Sequence, residues 1–373
     1  MKLALIYHQY IRSGGLEGYL LEFATRLAKA GHELTHVTAR ITPEVREKLS
    51  GKVVELPRIA GSPLLRMWQF ARESAKLAPA LPVDASIGFG RTYAHDLHRA
   101  GGGCHGLYSR LLPWYKRYAA KNLLELHLER TLYTRQQTRH FITNSDRVSA
   151  QLQGMYHTPG ARFTTIHTAV DTALFRPAEN RHALREVICR KLQTPSDADV
   201  LLFVSLSHRR KGLDALLEGL AQTKRGILWI VGKPLTAAYK AKITKLGLDA
   251  RVRQVPVTGS IMELYQAADW FVHPTLYDAC ANTVLQSMAS GLPGIISAQD
   301  GAIDHIQDGR NGFMLHHPAD PKAVASRIDE ALSLSEPERQ SLGAAARDTM
   351  LPFTWDRHVQ KWEELIPTLT PWP

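Results

Sequence analysis

Residues 270–297 read WFVHPTLYDACANTVLQSMASGLPGIIS, and their order decides the fold. WFVHP (270–274) and GIIS (294–297) are short apolar runs. Between them lie a loop, LYDACAN, and about two helical turns, TVLQSMAS, stopped by Gly291 and Pro293. Apolar runs of this length beside a helix predict neighbouring strands of a parallel sheet, buried on both faces. A ligand would meet the loop and the exposed amides at the helix start, where the macrodipole favours negative charge. The expected ligand therefore bears phosphate and sits between the carboxylate of Asp278 and the side-chain amide of Gln286.

Upstream of this stretch the same alternation recurs. DVLLFVS (199–205) reads as a strand, LSHRRKG (206–212) as a basic loop and LDALLEGLAQ (213–222) as a helix. ILWIVG (227–232) and VRQVPV (252–257) are further strands, and IMELYQAAD (261–269) is a helix leading into WFVHP. Arg209, Arg210 and Lys211 thus stand at a strand's carboxyl end, where open α/β sheets bind ligands. Arg grips a phosphate bidentately and Lys acts as a point charge. The plainer alternative is a solvated basic loop.

The first half opens in the same way. KLALIYH (2–8) is a strand, SGGLEG (13–18) a glycine turn, and residues 16–31 a helix with Leu16, Leu20, Phe23 and Leu27 on one face and Gly31 at its close. The amides near Gly14 and Gly15 allow close approach of a phosphate, although a simple tight turn accounts for the glycines equally well. The spacing Gly14, Gly15, Gly18 is not the dinucleotide fingerprint, and no acidic residue ends the second strand HELTHVTA, which argues against a nicotinamide enzyme. VVELP and ASIGFG are further strands. GRTYAHDLHRAGGGCHGLYSR (90–110) carries too many glycines and histidines for a helix or strand interior. Gly101–Gly103, flanked by Asp96, His98 and His105, suggest a site loop, the alternative being structural histidines.

Residues 107–140 interleave Trp114, Tyr115 and Tyr118 with Lys116, Arg117 and Lys121. Either this segment lies on an anionic membrane surface or it is an ordinary amphipathic helix with its apolar stripe in a core. FITNS resumes the sheet, and Pro177 marks a linker. The organisation expected is one Rossmann-like domain over 1–176 and a second over 177–352. A helix in 353–373, with Trp355 and Trp362 on one face, returns to the first domain. The fold class is α/β, two doubly wound domains facing one another.

At 373 residues, 44 % hydrophobic and 22 % charged, the composition is that of a two-domain globular protein. No apolar run reaches the roughly 20 residues that span a bilayer. MKLALIYHQY turns polar too early for a signal peptide, and three cysteines without metal spacing fit a reducing cytoplasm. The net charge of +11 is unevenly placed: residues 1–190 hold 27 Lys and Arg against 15 Asp and Glu, and the remainder 19 against 20. A polyanionic partner of the first half is a nucleic acid, an anionic lipid or a phosphorylated glycan, unless the excess is simply a solvated basic surface. No recognised nucleic-acid motif is present.

Taken together, IRSGGLEGYLLEFATRLAKAGHEL, ITNSDRV, IHTAVDTALFRP, SHRRKGLDALLEGL, LYQAADWFVHPTLYDACANTVLQSMASGLPGIIS and DGRNGFML resemble the retaining glycosyltransferases of family 4, which have the GT-B fold. GFGRTYAHDLHRAGGGCH and the basic aromatic segment after it look most like the lipopolysaccharide-core members, similar to heptose α-1,3-glucosyltransferases. The resemblance implies transfer of a sugar from a nucleotide diphosphate sugar, usually a UDP-sugar, bound mainly by the second domain, to a lipopolysaccharide core or related envelope glycan bound mainly by the first. It implies neither metal nor cofactor, and a cytoplasmic protein peripherally held at the inner face of the membrane. Arg210 and Lys211 match the basic pair that neutralises the diphosphate leaving group, and Gly15 matches the amide that reaches the distal phosphate when the domains close. The amides of Ala281, Asn282 and Thr283 match those that contact sugar and phosphate.

The family's Glu, seven residues, Glu pattern is here Asp278 and Gln286, so the donor-sugar carboxylate is shortened and the ribose ligand has lost its charge. Asp96 or His105 matches the group that the first domain places near the reacting carbon. A degenerate nucleotide-sugar-binding protein with little transferase activity is the alternative.

Overall fold

The computed structural model describes residues 1–11, 14–57, 61–135, 137–255 and 261–369. The chain divides into two compact units, one formed by Met1–Thr168 with Trp355–Pro373 and the other by Ala169–Thr354.

The first unit is built on a parallel sheet of β1 (Lys2–Ile6), β2 (Glu33–Thr38), β3 (Lys52–Glu55), β4 (Ala85–Phe89), β5 (Leu97–Arg99), β6 (His140–Thr143) and β7 (Phe163–Thr165), in the order β3-β2-β1-β4-β5-β6-β7. The direction of winding reverses between β1 and β4. Leu3, Leu5, Ile87 and Phe89 are fully buried and meet Leu20, Phe23 and Leu27 of the helix Gly14–Lys29. The apolar face read from the sequence is thus the inward stripe of this helix.

The terminal helix Trp355–Leu365 packs on that same helix, with the fully buried Trp362 ring 5.0 Å from the Phe23 ring. His358 pins it. Its Nδ1 lies 2.9 Å from the His167 carbonyl and so carries the proton, leaving Nε2 to accept from the Tyr19 hydroxyl at 2.7 Å and the Trp362 indole at 3.3 Å. Burial, then the nearby Arg99 charge, pushes the His358 pKa down to about 3.

One reading of the sequence is corrected here. Residues 90–110 were expected to hold no strand or helix interior, yet Leu97–Arg99 is a wholly buried strand in the sheet and His105–Arg110 a short helix. His98 and Arg99 are accepted because the parallel ladder satisfies the backbone while the side chains turn to enclosed polar and aromatic surroundings. Arg99, for instance, lies 3.4 Å over the Tyr19 ring.

The second unit has six parallel strands, β8 (Val200–Ser205), β9 (Ile227–Gly232), β10 (Val252–Val255), β11 (Trp270–His273), β12 (Gly294–Ser297) and β13 (Gly312–Leu315), in the order β10-β9-β8-β11-β12-β13. The last two residues of the expected strand 252–257 lie outside the described residues. β11 and β12 are the apolar runs flanking TVLQSMAS. They pair in parallel, Phe271 with Gly294 and His273 with Ile296, and every residue of both is buried. The winding reverses between β8 and β11, which makes the carboxyl ends of these two strands the switch point of the sheet.

Candidate active site

Two loops meet at that switch point. The one after β8 carries Arg210 and Lys211, and the one after β11 carries Asp278. They touch backbone to backbone at Gly212, whose φ is +81° and where an added Cβ would lie 1.9 Å from the Pro274 carbonyl oxygen, so only glycine fits. The Leu276 N–H and the Thr275 hydroxyl both donate to the Arg210 carbonyl, at 2.9 and 3.1 Å. This stitching brings both cations onto one carboxylate. Asp278 Oδ2 is 2.5 Å from Lys211 Nζ and 2.7 Å from Arg210 Nη1, and Arg210 also donates to the Tyr277 carbonyl at 2.9 Å. Burial works to raise the Asp278 pKa, but the Lys211 and Arg210 charges outweigh it and hold the carboxyl far below the usual range. Arg209, the third cation of the loop, is exposed.

Behind Lys211 lie two fully buried side chains that sequence reasoning missed. His273 Nε2 is 3.2 Å from Lys211 Nζ and 3.0 Å from Asp300 Oδ2. Burial, then the Lys211 charge, lowers the His273 pKa, so the imidazole is neutral. Asp300 Oδ1 accepts from the Ala281 and Ala302 N–H groups at 3.0 and 2.8 Å. The signals available in the sequence were the histidine closing an apolar strand and the Asp-Gly turn after GIIS.

The ligand-type atoms of His273, Asp278 and Asp300 lie within 4.8 Å of one another. Because Lys211 Nζ approaches two of them, at 2.5 and 3.2 Å, an ammonium already supplies the positive charge at this point.

The helix Asn282–Ala289 starts beside the pair. Among the described residues its first amide, on Ala281, is taken by Asp300, whereas the N–H groups of Asn282 and Thr283 have no hydrogen-bond partner within the protein. The buried Thr283 hydroxyl is likewise unpartnered. One turn along, Gln286 Oε1 accepts from the buried Tyr265 hydroxyl at 3.3 Å, leaving its amide nitrogen to donate elsewhere. The stretch that decided the fold thus brings free amides and polar side chains to the strand edge where Arg210 and Lys211 of the neighbouring loop converge.

In the first unit the expected residues fall on different parts of the sheet. Gly14 and Gly15 begin the helix after β1, Gly14 at φ +79°. The Glu17 carboxylate lies against this start, 2.9 Å from where a Gly14 Cβ would be, and accepts from the Tyr7 hydroxyl and the Gln9 amide, each at 3.1 Å. His105 opens the helix beyond the carboxyl end of β5. It is nearly buried, with Nε2 2.8 Å from Asn122 Oδ1 and 3.1 Å from Glu125 Oε2, and burial followed by the Arg91 charge lowers its pKa.

Asp96 is a correction. It precedes β5 at the amino edge of the sheet, opposite the edge where ligands bind. Its Oδ2 accepts from the Ser86 amide and hydroxyl at 2.9 and 2.7 Å, and its Oδ1 from Arg139 at 2.8 Å. Both oxygens are spent on clamping β4 to β5, so Asp96 is structural.

Doubly wound parallel sheets with a basic loop at the switch point define a Rossmann-like class of ligand-binding protein. The Glycosyltransferase Family 4 model matches residues 13–174, and the Glycosyl transferases group 1 model matches residues 185–349. The lipopolysaccharide glucosyltransferase WaaG of Escherichia coli is 25 % identical over 365 residues, covering 93 % of this chain and 93 % of that protein. A D-inositol 3-phosphate glycosyltransferase of Thermomonospora curvata is 26 % identical over 94 % of this chain and 89 % of its own. The crystal structure of WaaG superposes with a TM-score of 0.81 at 21 % identity, covering 98 % of this chain and all of WaaG. That of Anabaena Alr3699/HepE, in complex with UDP and glucose, superposes with a TM-score of 0.76 at 17 % identity, covering 99 % of this chain and all of HepE. The chain belongs to the family 4, group 1 glycosyltransferases and has their GT-B fold of two Rossmann-like domains.

Proposed function

We propose that this glycosyltransferase moves a sugar, with retention, from a UDP-sugar such as UDP-glucose to a lipopolysaccharide core or a related phosphorylated envelope glycan. The observation that carries the donor assignment is the pair of cations, Arg210 and Lys211, converging on one carboxylate at the switch point beside free helix-start amides. The names of the relatives support the reading: one is a lipopolysaccharide glucosyltransferase and another binds UDP and glucose.

A glycosyl donor reacts when the bond from the anomeric carbon to the β-phosphate breaks and negative charge grows on the leaving oxygen. Arg210 and Lys211 meet that charge, together with the Asn282 and Thr283 amides. A divalent metal is then unnecessary, because the Lys211 ammonium stands where one would act. Asp278, released from the cations by the incoming diphosphate, turns to the hydroxyls of the transferred sugar, and Gln286 donates its amide to the ribose. The acceptor hydroxyl attacks from the leaving-group face and passes its proton to the departing phosphate, which accounts for retention without a protein nucleophile. Asp96 has no part in this chemistry, and His105, at the carboxyl edge of the first sheet, is the first-domain residue we assign to the neighbourhood of the reacting carbon.

The acceptor is reached from a membrane. Trp114, Tyr115 and Tyr118 expose 77, 56 and 67 % of their surface beside exposed Lys116, Arg117 and Lys121, an arrangement that suits an anionic headgroup layer. No helix among the described residues is long and apolar enough to cross a membrane. The protein is thus read as peripheral, at the cytoplasmic face.

Incubation with radiolabelled UDP-sugars and a truncated core acceptor tests the assignment. Label transferred from one of them with α-anomeric retention supports it, and no transfer from any donor defeats it. UDP binding without turnover, unrescued by Gln286→Glu, would instead identify a degenerate binding protein.

A further inference from the structure

Asp300 and His273 have no role in the chemistry above, yet both are fully buried directly behind it. A buried carboxylate persists only where hydrogen bonds or charge offset its lost hydration. Asp300 Oδ1 accepts from the Ala281 and Ala302 amides, whereas Oδ2 has no hydrogen-bond partner among the described residues and lies 3.0 Å from His273 Nε2, the nitrogen that meets Lys211. Asp300, His273, Lys211 and Asp278 therefore form a row, with successive separations of 3.0, 3.2 and 2.5 Å.

The two ends of the row differ in what they are free to do. Asp278 keeps 15 % of its side chain exposed and is able to leave Lys211 for a sugar hydroxyl, whereas Asp300 is fully buried and held by the Ala281 and Ala302 amides. Its backbone is tied to the Asp278 loop as well, since Asp278 donates to the Gln299 carbonyl and Gly301 donates to the Asp278 carbonyl. His273 Nε2 lies between Asp300, an obligate acceptor, and Lys211, an obligate donor; in the neutral ring it accepts from Lys211, so Asp300 acts on this pair by its charge and not by a hydrogen bond.

We propose that Asp300 is a positioning residue of the donor site: its buried charge beside His273 keeps the Lys211 ammonium anchored when Asp278 departs, and through the Ala281 amide it aims the helix start at the diphosphate. This rests on the donor reading given above. Asp300 touches no reacting atom. It acts through Lys211 and the helix-start amides.

The test compares wild type with Asp300→Asn, His273→Leu and His273→Gln, measuring UDP affinity by calorimetry and kcat and KM for the donor. Asp300→Asn and His273→Leu should each weaken UDP binding by about tenfold, the worth of one charge-assisted hydrogen bond, and lower kcat/KM at least as much. His273→Gln, which returns a polar group to the Nε2 position, should recover most of the loss. A packing role would predict the reverse order, with Leu tolerated as well as Gln. UDP bound by wild type and equally well by Asp300→Asn and His273→Leu would overturn the proposal, whereas a wild type that binds no UDP would overturn the donor reading itself. Should Asp300→Asn fail to fold, the two His273 variants decide alone.

Discussion

Lys211 Nζ lies 2.5 Å from Asp278 Oδ2, with Arg210 on the same oxygen at 2.7 Å, so the cations assigned to the donor diphosphate are neutralised by a carboxylate of the protein. Asp278 then has two opposed effects: it competes with phosphate in the free enzyme and serves the sugar in the complex. Replacing it with Asn removes the competing charge and retains the shape. Asp278→Asn should bind UDP or inorganic pyrophosphate about tenfold more tightly, the equivalent of about 1.4 kcal/mol, while its transfer rate falls. Weaker binding of both anions, measured by calorimetry, would count against the displacement.

Arg210 donates to the Tyr277 carbonyl as well as to Asp278, which fixes its guanidinium over the site. Arg210→Ala should lower kcat by about a hundredfold, comparable to losing an oxyanion donor. A steady-state assay with unchanged kcat would remove Arg210 from the leaving-group role.

Gln286 is held by a neutral hydroxyl, that of Tyr265, through its side-chain oxygen. A Glu here would offer a charged acceptor to a ribose hydroxyl. Gln286→Glu should therefore lower the donor KM by about three- to tenfold with kcat little changed, since such an interaction is equal in ground and transition states. A fall in kcat would show instead that the Tyr265–Gln286 contact supports the site.

How much of this was legible in the sequence follows from what each element depends on. WFVHP and GIIS were readable because strands buried on both faces are mostly apolar. The helix 14–29 was readable because its inward stripe has the helical period. LHR (97–99) was not, since its polar side chains are compensated by groups distant in the chain, such as Tyr19 beneath Arg99. Arg210, Lys211 and Asp278 could be named individually, but their convergence depends on Gly212 lying against Pro274, a contact that no local pattern encodes. Asp96 was misread because a carboxylate near glycines gives no hint of which sheet edge it occupies. Asp300 was passed over because its partners, Ala281 and His273, come from two other segments.

Three buried imidazoles make the fold acid-sensitive. Burial brings the pKa of His95 to about 4 and that of His358 to about 3, and places His98 well below its ordinary 6.5. Unfolded, each would take up a proton near pH 6.5, so the unfolded chain binds more protons between about pH 6.5 and 4. The stability of the neutral forms is present above pH 6.5 and is lost as pH falls, by up to ~4 kcal/mol per pH unit if all three contribute. Thermal unfolding at pH 7.5 and pH 5 should give a clearly lower midpoint at pH 5. Equal midpoints would mean that these histidines are protonated in the folded protein.

Lys116, Arg117 and Lys121 are exposed beside the three uncovered aromatic rings. Changing all three to Gln should reduce cosedimentation with anionic vesicles by at least about tenfold, near 1 kcal/mol per charge, and leave transfer to a soluble acceptor largely intact. Equal losses in both assays would assign the segment a structural role.

The donor site itself is tested most directly by a crystal structure with UDP bound. The account predicts phosphate oxygens on Arg210 and Lys211, the Asn282 and Thr283 amides turned to the same diphosphate, and the Asp278–Lys211 contact broken. Nucleotide bound elsewhere, with that contact intact, would contradict it.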